Sequence, residues 1–243
     1  MEIISILNLK GGVAKTTTAQ NTALALRLLG YRVLLIDLDY QKSLTTLLNV
    51  NNKITALDLL NSNNPSGLIS QAIKQDLICS HEDLLTLNDI EPNRLKRILE
   101  LPEIKKSYDY VLIDNHCIIN PLTLNSLMAC DKLLIPTTAT RLGYIGVEDM
   151  QSLLTLIKKS YKRDIKAYML LTDYNPRTEL NIQYKQLLEE LIQDSNIKPL
   201  KTDIRHSQPI EDSQALGLNL FEYSKRSNGA KDYLDATKEL IEK

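Results

Sequence analysis

The sequence predicts an α/β fold, a doubly wound and mostly parallel sheet flanked by helices, built as a single domain over residues 1–243. Three observations lead there. Short apolar runs alternate with longer amphipathic stretches, the pattern of successive β-α-β units. The runs are nearly continuous in Val, Ile and Leu, as in strands covered on both faces. The first run passes through a glycine-bearing loop straight into a helical segment.

Strands are predicted at residues 3–8, 32–37, 110–114, 132–136 and 167–172. Helices are predicted at 15–29, 121–129, 143–159, 179–194 and 228–242. Gly30 is expected to stop the first helix in the left-handed conformation common at helix ends. Residues 51–102 are polar, with Asn and Ser clusters at 51–53 and 61–66. They read as a less regular elaboration of the same domain, with weak strand-like runs at 68–73 and 77–79.

Hydrophobic residues make up 43% of the chain, enough for a sizeable core. The formal net charge is −1, from 29 Lys and Arg against 30 Asp and Glu, so any nucleic-acid binding must rest on a local cluster of charge. Cys79, Cys117 and Cys130 follow no metal-ligand or CxxC spacing, which argues against zinc and iron–sulfur chemistry. No signal peptide is evident, because Lys10 interrupts the short apolar start. No run approaches the roughly 20 apolar residues of a membrane span. A soluble, cytoplasmic protein is expected.

Between the first strand and first helix lies Leu9-Lys10-Gly11-Gly12-Val13-Ala14-Lys15-Thr16-Thr17-Thr18. Strand, small-residue loop, Lys-Thr and helix form the context of a phosphate-binding P-loop. Glycines let consecutive backbone N–H groups converge on an anion. The helix N-terminus adds unsatisfied donors and about half a positive charge. Lys10, Gly11, Gly12, Val13, Ala14, Lys15, Thr16 and Thr17 are therefore the expected contacts to ATP. Lys15 is expected to reach the β- and γ-phosphates, and the Thr16 hydroxyl to complete a Mg2+ shell. The strict pattern GxxxxGK[ST] is not met, because Leu9 and Ala14 occupy its glycine positions.

Two carboxylate-bearing segments follow. The run Tyr108-Asp109-Tyr110-Val111-Leu112-Ile113-Asp114 has the Walker B arrangement. Asp114 falls at the C-terminal tip of its strand, where ligands gather in doubly wound sheets, and is expected to hold Mg2+ through water. Strand 32–37 runs into Leu38-Asp39-Tyr40-Gln41-Lys42-Ser43-Leu44-Thr45. His116, next to the Walker B strand, could contact nucleotide or partner, but a lone polar residue in a surface loop is more often neither.

These segments together resemble the ParA/MinD group of ATPases, with the deviant Walker A loop KGGxxKTT. Residues 10–18, 37–46, 108–114, 122–129, 132–137 and 204–223 are similar to the ParA partition ATPases. Tyr40 and Lys42 depart from the DxDPQ motif and the small residue after it, and Asn115-His116-Cys117 replaces a DTPP continuation. The resemblance implies that Lys10 reaches across a homodimer interface to the partner's nucleotide, so that Lys10, Lys15 and Asp39 carry catalysis. It implies that Asp39 positions the attacking water and that Asp37 lies close to the Mg2+ shell with Thr16 and Asp114. Alanine at position 14 implies a right-handed backbone there. The resemblance also implies that Arg205 and Ser207 fall near an adenine pocket.

The implied cycle is Mg-ATP binding, dimerisation, non-specific DNA binding over the nucleoid, and hydrolysis stimulated by a ParB-like partner. Candidate DNA contacts are Lys185, Lys198, Lys201, Arg205, Lys225 and Arg226, with a second basic run at 158–166. The same chemistry positioning a protein organelle or cluster is the main alternative. A MinD-like membrane ATPase is disfavoured by a C-terminal segment with as many acids as bases and little bulky apolar surface.

Overall fold

The computed structural model describes residues 1–243. Strand β1 (Glu2–Ile6) opens the chain and leads through the glycine loop into α1 (Lys15–Leu28), followed by β2 (Val33–Asp37). Gly30 adopts φ 91°, the left-handed stop its sequence position suggests. A short α2 (Ser43–Leu47) and then α3 (Ala56–Asn61), α4 (Ser66–Ala72) and β3 (Leu77–Ile78) follow. Helices α5 (Arg94–Leu99) and α6 (Pro102–Lys105) lead to β4 (Tyr110–Asp114). Next come α7 (Pro121–Ala129), β5 (Lys132–Thr138), α8 (Arg141–Tyr161), β6 (Lys166–Thr172), α9 (Glu179–Ile192) and β7 (Ile197–Pro199). The chain closes with α10 (Gln208–Ala215), α11 (Leu220–Tyr223) and α12 (Asn228–Glu242).

The seven strands form one sheet in the order β3-β2-β4-β1-β5-β6-β7. Every pairing is parallel. Parallel neighbours need a crossover, and the crossovers supply the helices that cover both faces. Alternation along each strand then feeds two cores. Ile3, Leu34, Ile36, Val111 and Ile113 pack on one face with α5, α7 and α8. Ile4, Ile6, Val33, Leu35 and Leu112 pack on the other with α1 and α12. Register brings Ile6, Asp37 and Asp114 level at the C-terminal edge, since Ile6 pairs with Asp114 and Asp37 with Asp114.

Two sequence expectations change here. The run at 68–73 is helical: Ile69 and Ala72, three apart, are both buried, a helical spacing that burial on a single strand face would not produce. Strand β7 was not anticipated, because only Ile197 of its three residues is buried and Pro199 is a poor ladder donor. Pro199 is tolerated because β7 is the edge of the sheet. The run at 77–79 does supply a strand, with Leu77 and Ile78 in register with Leu35 and Ile36. Residues 51–102 add Leu59, Leu60, Ile69, Leu95 and Ile98 to the larger core, so they pack on the same sheet.

Candidate nucleotide site

The loop between β1 and α1 sits at the C-terminal edge of the central strand. Gly12 has φ 74°, a conformation that favours glycine. Ala14 is left-handed too, at φ 61° and ψ 34°, contrary to the expectation of a right-handed backbone. Ala14 is the N-cap of α1, where its carbonyl accepts the first helical bond from Thr18 N–H at 2.8 Å, and the loop tied to β5 and β6 holds it in this unusual conformation. From Gly11 to Thr17 no backbone N–H donates to any acceptor in the protein. No acidic side chain neutralises the first turn of α1, and no side chain caps it. Seven consecutive free donors at a helix start form an anion cup.

Buried Asn8, an overlooked residue, braces this cup. Its amide donates to Pro136 O at 2.8 Å and its Oδ1 accepts the Lys10 N–H at 3.0 Å, fixing the loop to β5. A polar Asn closing an otherwise apolar strand was the readable signal. Thr172 Oγ1 reaches Val13 O at 3.3 Å from β6.

Lys15 Nζ donates to Lys10 O at 2.9 Å. Burial lowers its pKa, while Cys117, Asp114 and Asp39 pull the other way. Lys10 Nζ pairs with Asp149 Oδ2 of α8 at 3.1 Å. Its stem lies against Gly146, where a Cβ would come within 2.8 Å of Lys10 Cγ and 2.7 Å of Asn8 Oδ1.

Three aspartates face the cup. Asp114 is fully buried and neither carboxylate oxygen has a hydrogen-bond partner. Burial first, then the Asp37 carboxylate, pushes its pKa well above the usual range, against the nearby Thr16 hydroxyl and Lys15. Asp37 is anchored instead: Oδ1 accepts Asp39 N–H at 3.0 Å, and Oδ2 accepts Thr45 N–H at 2.8 Å and its hydroxyl at 2.7 Å. Burial raises its pKa to about 6. Asp39 Oδ1 accepts the Gln41 N–H at 2.9 Å, and Ser80 Oγ donates to the Asp39 carbonyl at 2.6 Å. His116 is not an open surface residue; its side chain is 12% exposed and directed at Asp39.

On the other flank of the cup, a cleft of about 360 Å³ is lined by Gly12, Thr17, Asp173, His206, Ser207 and Gln214, among others. Ser207 Oγ accepts the Gly229 N–H at 3.2 Å. Arg205 lines the same cleft, but its guanidinium is held by Asp232, with Nε to Oδ2 at 2.9 Å and a second bond at 2.6 Å.

The basic candidates separate into two groups. Lys185 pairs with Asp203 and Glu189 and lies over the Tyr174 ring, and Arg205 is tied to α12 as above. Both cations are engaged by carboxylates within the chain. Lys198, Lys201, Lys225 and Arg226 are exposed and make no salt bridge. In the second run, Lys158 pairs with Asp164 and Arg163 donates to the carbonyls of Leu127 and Cys130.

A family described as AAA domain matches residues 1–167. Along 98% of its length, the chain is 30% identical to the sporulation initiation inhibitor protein Soj of Bacillus subtilis, covering 98% of that protein. It is 28% identical to the chromosome partitioning protein ParA of Caulobacter vibrioides, over 99% of this chain and 94% of that one. The chain belongs to the ParA family of partition ATPases. An ATP complex of McdA from Cyanothece has the same fold, with a TM-score of 0.81, 21% identity, and coverage of 99% of this chain and 96% of that one. For this ParA-family chain, the cup, the orphaned Asp114 and the Thr16 hydroxyl beside it fit a phosphate-bound Mg2+. No three His, Cys, Asp or Glu side chains converge to hold a metal alone, so Thr16 and Asp114 would hold Mg2+ together with phosphate or water oxygens. No helix is long and apolar enough to cross a membrane.

Proposed function

We propose that the chain is a Mg-ATP-dependent partition ATPase that closes as a homodimer on ATP, binds duplex DNA without sequence preference and answers to a ParB-like partner. The observation that carries this reading is the row of seven partnerless N–H groups from Gly11 to Thr17, facing a carboxylate with two free oxygens. Neither feature serves the fold, since buried polar groups without partners are costly. A triphosphate with its cation satisfies both.

Each residue then has a task. The N–H groups of Gly11, Gly12, Val13, Ala14, Lys15, Thr16 and Thr17 hold phosphate oxygens. Lys15 leaves the Lys10 carbonyl and turns to the β- and γ-phosphates. Thr16 and Asp114 would hold Mg2+, which neutralises charge on the phosphate oxygens. Asp37 acts beside that shell by fixing the Asp39 loop through Thr45. Asp39 orients the attacking water. The cleft beside Ser207 and Arg205 receives the base and sugar, with Arg205 shaping its wall. Lys10 exchanges Asp149 for the phosphates bound by the partner subunit. Binding of the γ-phosphate thereby biases an open and a closed state.

Lys15→Ala tests the reading directly. It should abolish ATP binding in a titration and leave a folded monomer by light scattering with ATP present. Undiminished affinity in that variant would remove the loop from the site.

A further inference from the structure

The loops after β2 and β4 bring Asp39 together with two side chains, Tyr40 and His116, at positions where the sequence departs from its family pattern. The imidazole Nε2 of His116 lies 4.0 Å from Asp39 Oδ1, and the two side chains are only 12% and 10% exposed. The His116 ring packs on Tyr40, with centroids 4.5 Å apart and planes inclined by 35°. Asp39 itself is half restrained: Oδ1 is held by the Gln41 N–H, while Oδ2 makes no hydrogen bond. Its backbone is fixed at both ends, by Asp37 through Asp39 N–H and by Ser80 through the carbonyl.

We propose that His116, braced by Tyr40, is a positioning residue that sets the plane of the Asp39 carboxylate for hydrolysis. At 4.0 Å the pair is beyond hydrogen-bond range, yet within reach of a small rotation or one bridging water. Catalytic hydrogen bonds are commonly long before substrate binds and tighten afterwards. An Nε2–H donated to Oδ1 would pin that oxygen between two donors and leave Oδ2 as the acceptor for a water proton. Tyr40 makes the imidazole a rigid arm: its ring covers one face of His116 and limits rotation. Aromatic stacking of this kind restrains a side chain that a loop alone would leave mobile. Carboxylate orientation matters here because phosphoryl transfer depends on placing the water in line, with little covalent help from the protein. The proposal rests on the assignment of Asp39 to hydrolysis.

The test compares His116→Ala, His116→Gln, His116→Asn, Tyr40→Ala, Tyr40→Phe and Asp39→Ala with the wild type. ATP affinity is read by nucleotide titration, and turnover by phosphate release at saturating Mg-ATP. His116→Ala should lower kcat by roughly 10- to 100-fold, the scale of a misplacement near 1 Å, with ATP affinity unchanged. Glutamine can place an amide nitrogen where Nε2 stood and should recover most of kcat; asparagine reaches only the Nδ1 position and should not. Tyr40→Ala should lower kcat, and Tyr40→Phe, which keeps the ring, should restore it. Wild-type kcat in His116→Ala, or a glutamine variant no better than alanine, overturns the clamp and leaves the role of Asp39 standing. Loss of affinity in step with kcat would make His116 a nucleotide contact and also overturn it. Wild-type kcat in Asp39→Ala refutes the hydrolysis assignment, and the clamp with it. If His116→Ala does not fold, the glutamine and asparagine pair decides the matter alone.

Discussion

At the scale of single residues, the site holds features that harm the empty protein. Asp114 is buried with two unpartnered oxygens. Its folded pKa lies above the unfolded one, so the folded state holds the proton more tightly and ionisation weighs against folding as pH rises above the ordinary carboxylate range. Asp114→Asn removes the charge at constant shape. It should raise the melting temperature of the nucleotide-free protein at neutral pH and abolish the Mg2+ dependence of ATP affinity. A lower melting temperature would mean that an unseen partner already satisfies the carboxylate. Asp39 sits differently, since its loop is fully tied and its Oδ2 free. Asp39→Ala should keep ATP affinity and the ATP-dependent dimer while phosphate release falls to background; persistent turnover would exclude it from the mechanism.

Sequence legibility differed by residue for physical reasons. The cup was readable because glycines, Lys-Thr and a following helix constrain one another locally. The left-handed Ala14 was not, because alanine pays an intrinsic penalty of about 1–2 kcal/mol there and local propensity argues against it. What holds it is the surrounding loop, tied to β5 through Asn8 and to β6 through Thr172. The approach of His116 to Asp39 was not readable for a related reason. Its significance depends on β2 and β4 being sheet neighbours, which sets their following loops side by side.

At the scale of elements, α8 is the wall on which the cup leans. Thr140 caps it through the Gly143 N–H at 3.1 Å, and a Cβ at Gly143 would stand 2.0 Å from Thr138 O. Glycine there and at 146 lets the helix approach the strand ends closely. The sequence reading starts this helix two residues late, at Gly143, because the cap at Thr140 lies before that glycine. Gly146→Ala would push on Lys10 and on the pinned Asn8, and overpacking of this kind costs about 1–3 kcal/mol. Lys10→Ala should relieve part of that loss in the double variant, because the two sites are in contact. Strictly additive losses in denaturant melts would show that the added methyl does not meet Lys10. The long runs of β4, β5 and β6 were readable from their apolar continuity, whereas the short α3 to α6 helices were obscured by the polar residues between them.

At the scale of the whole molecule, a net charge of −1 provides no general attraction to a polyanion. The proposed DNA binding would then have to come from unpaired cations on one surface, and the structure divides the sequence candidates on that criterion. Lys198, Lys201, Lys225 and Arg226 are exposed and unpaired, while Lys185 and Arg205 are neutralised by Asp203 and Asp232. Counterion release makes the two groups distinguishable. Each alanine among the four free residues that touches a phosphate should weaken ATP-dependent binding to random duplex and lower the salt slope by about one. Lys185→Ala and Arg205→Ala should leave the slope unchanged and instead lower the melting temperature, since each strands a carboxylate, and Asp232 is only 6% exposed. The measurement is a titration of DNA affinity against salt at saturating Mg-ATP, run beside thermal melts. A salt slope that drops for Arg205→Ala with an unchanged melting temperature would reverse the division, placing the DNA on the α12 side of the nucleotide cleft.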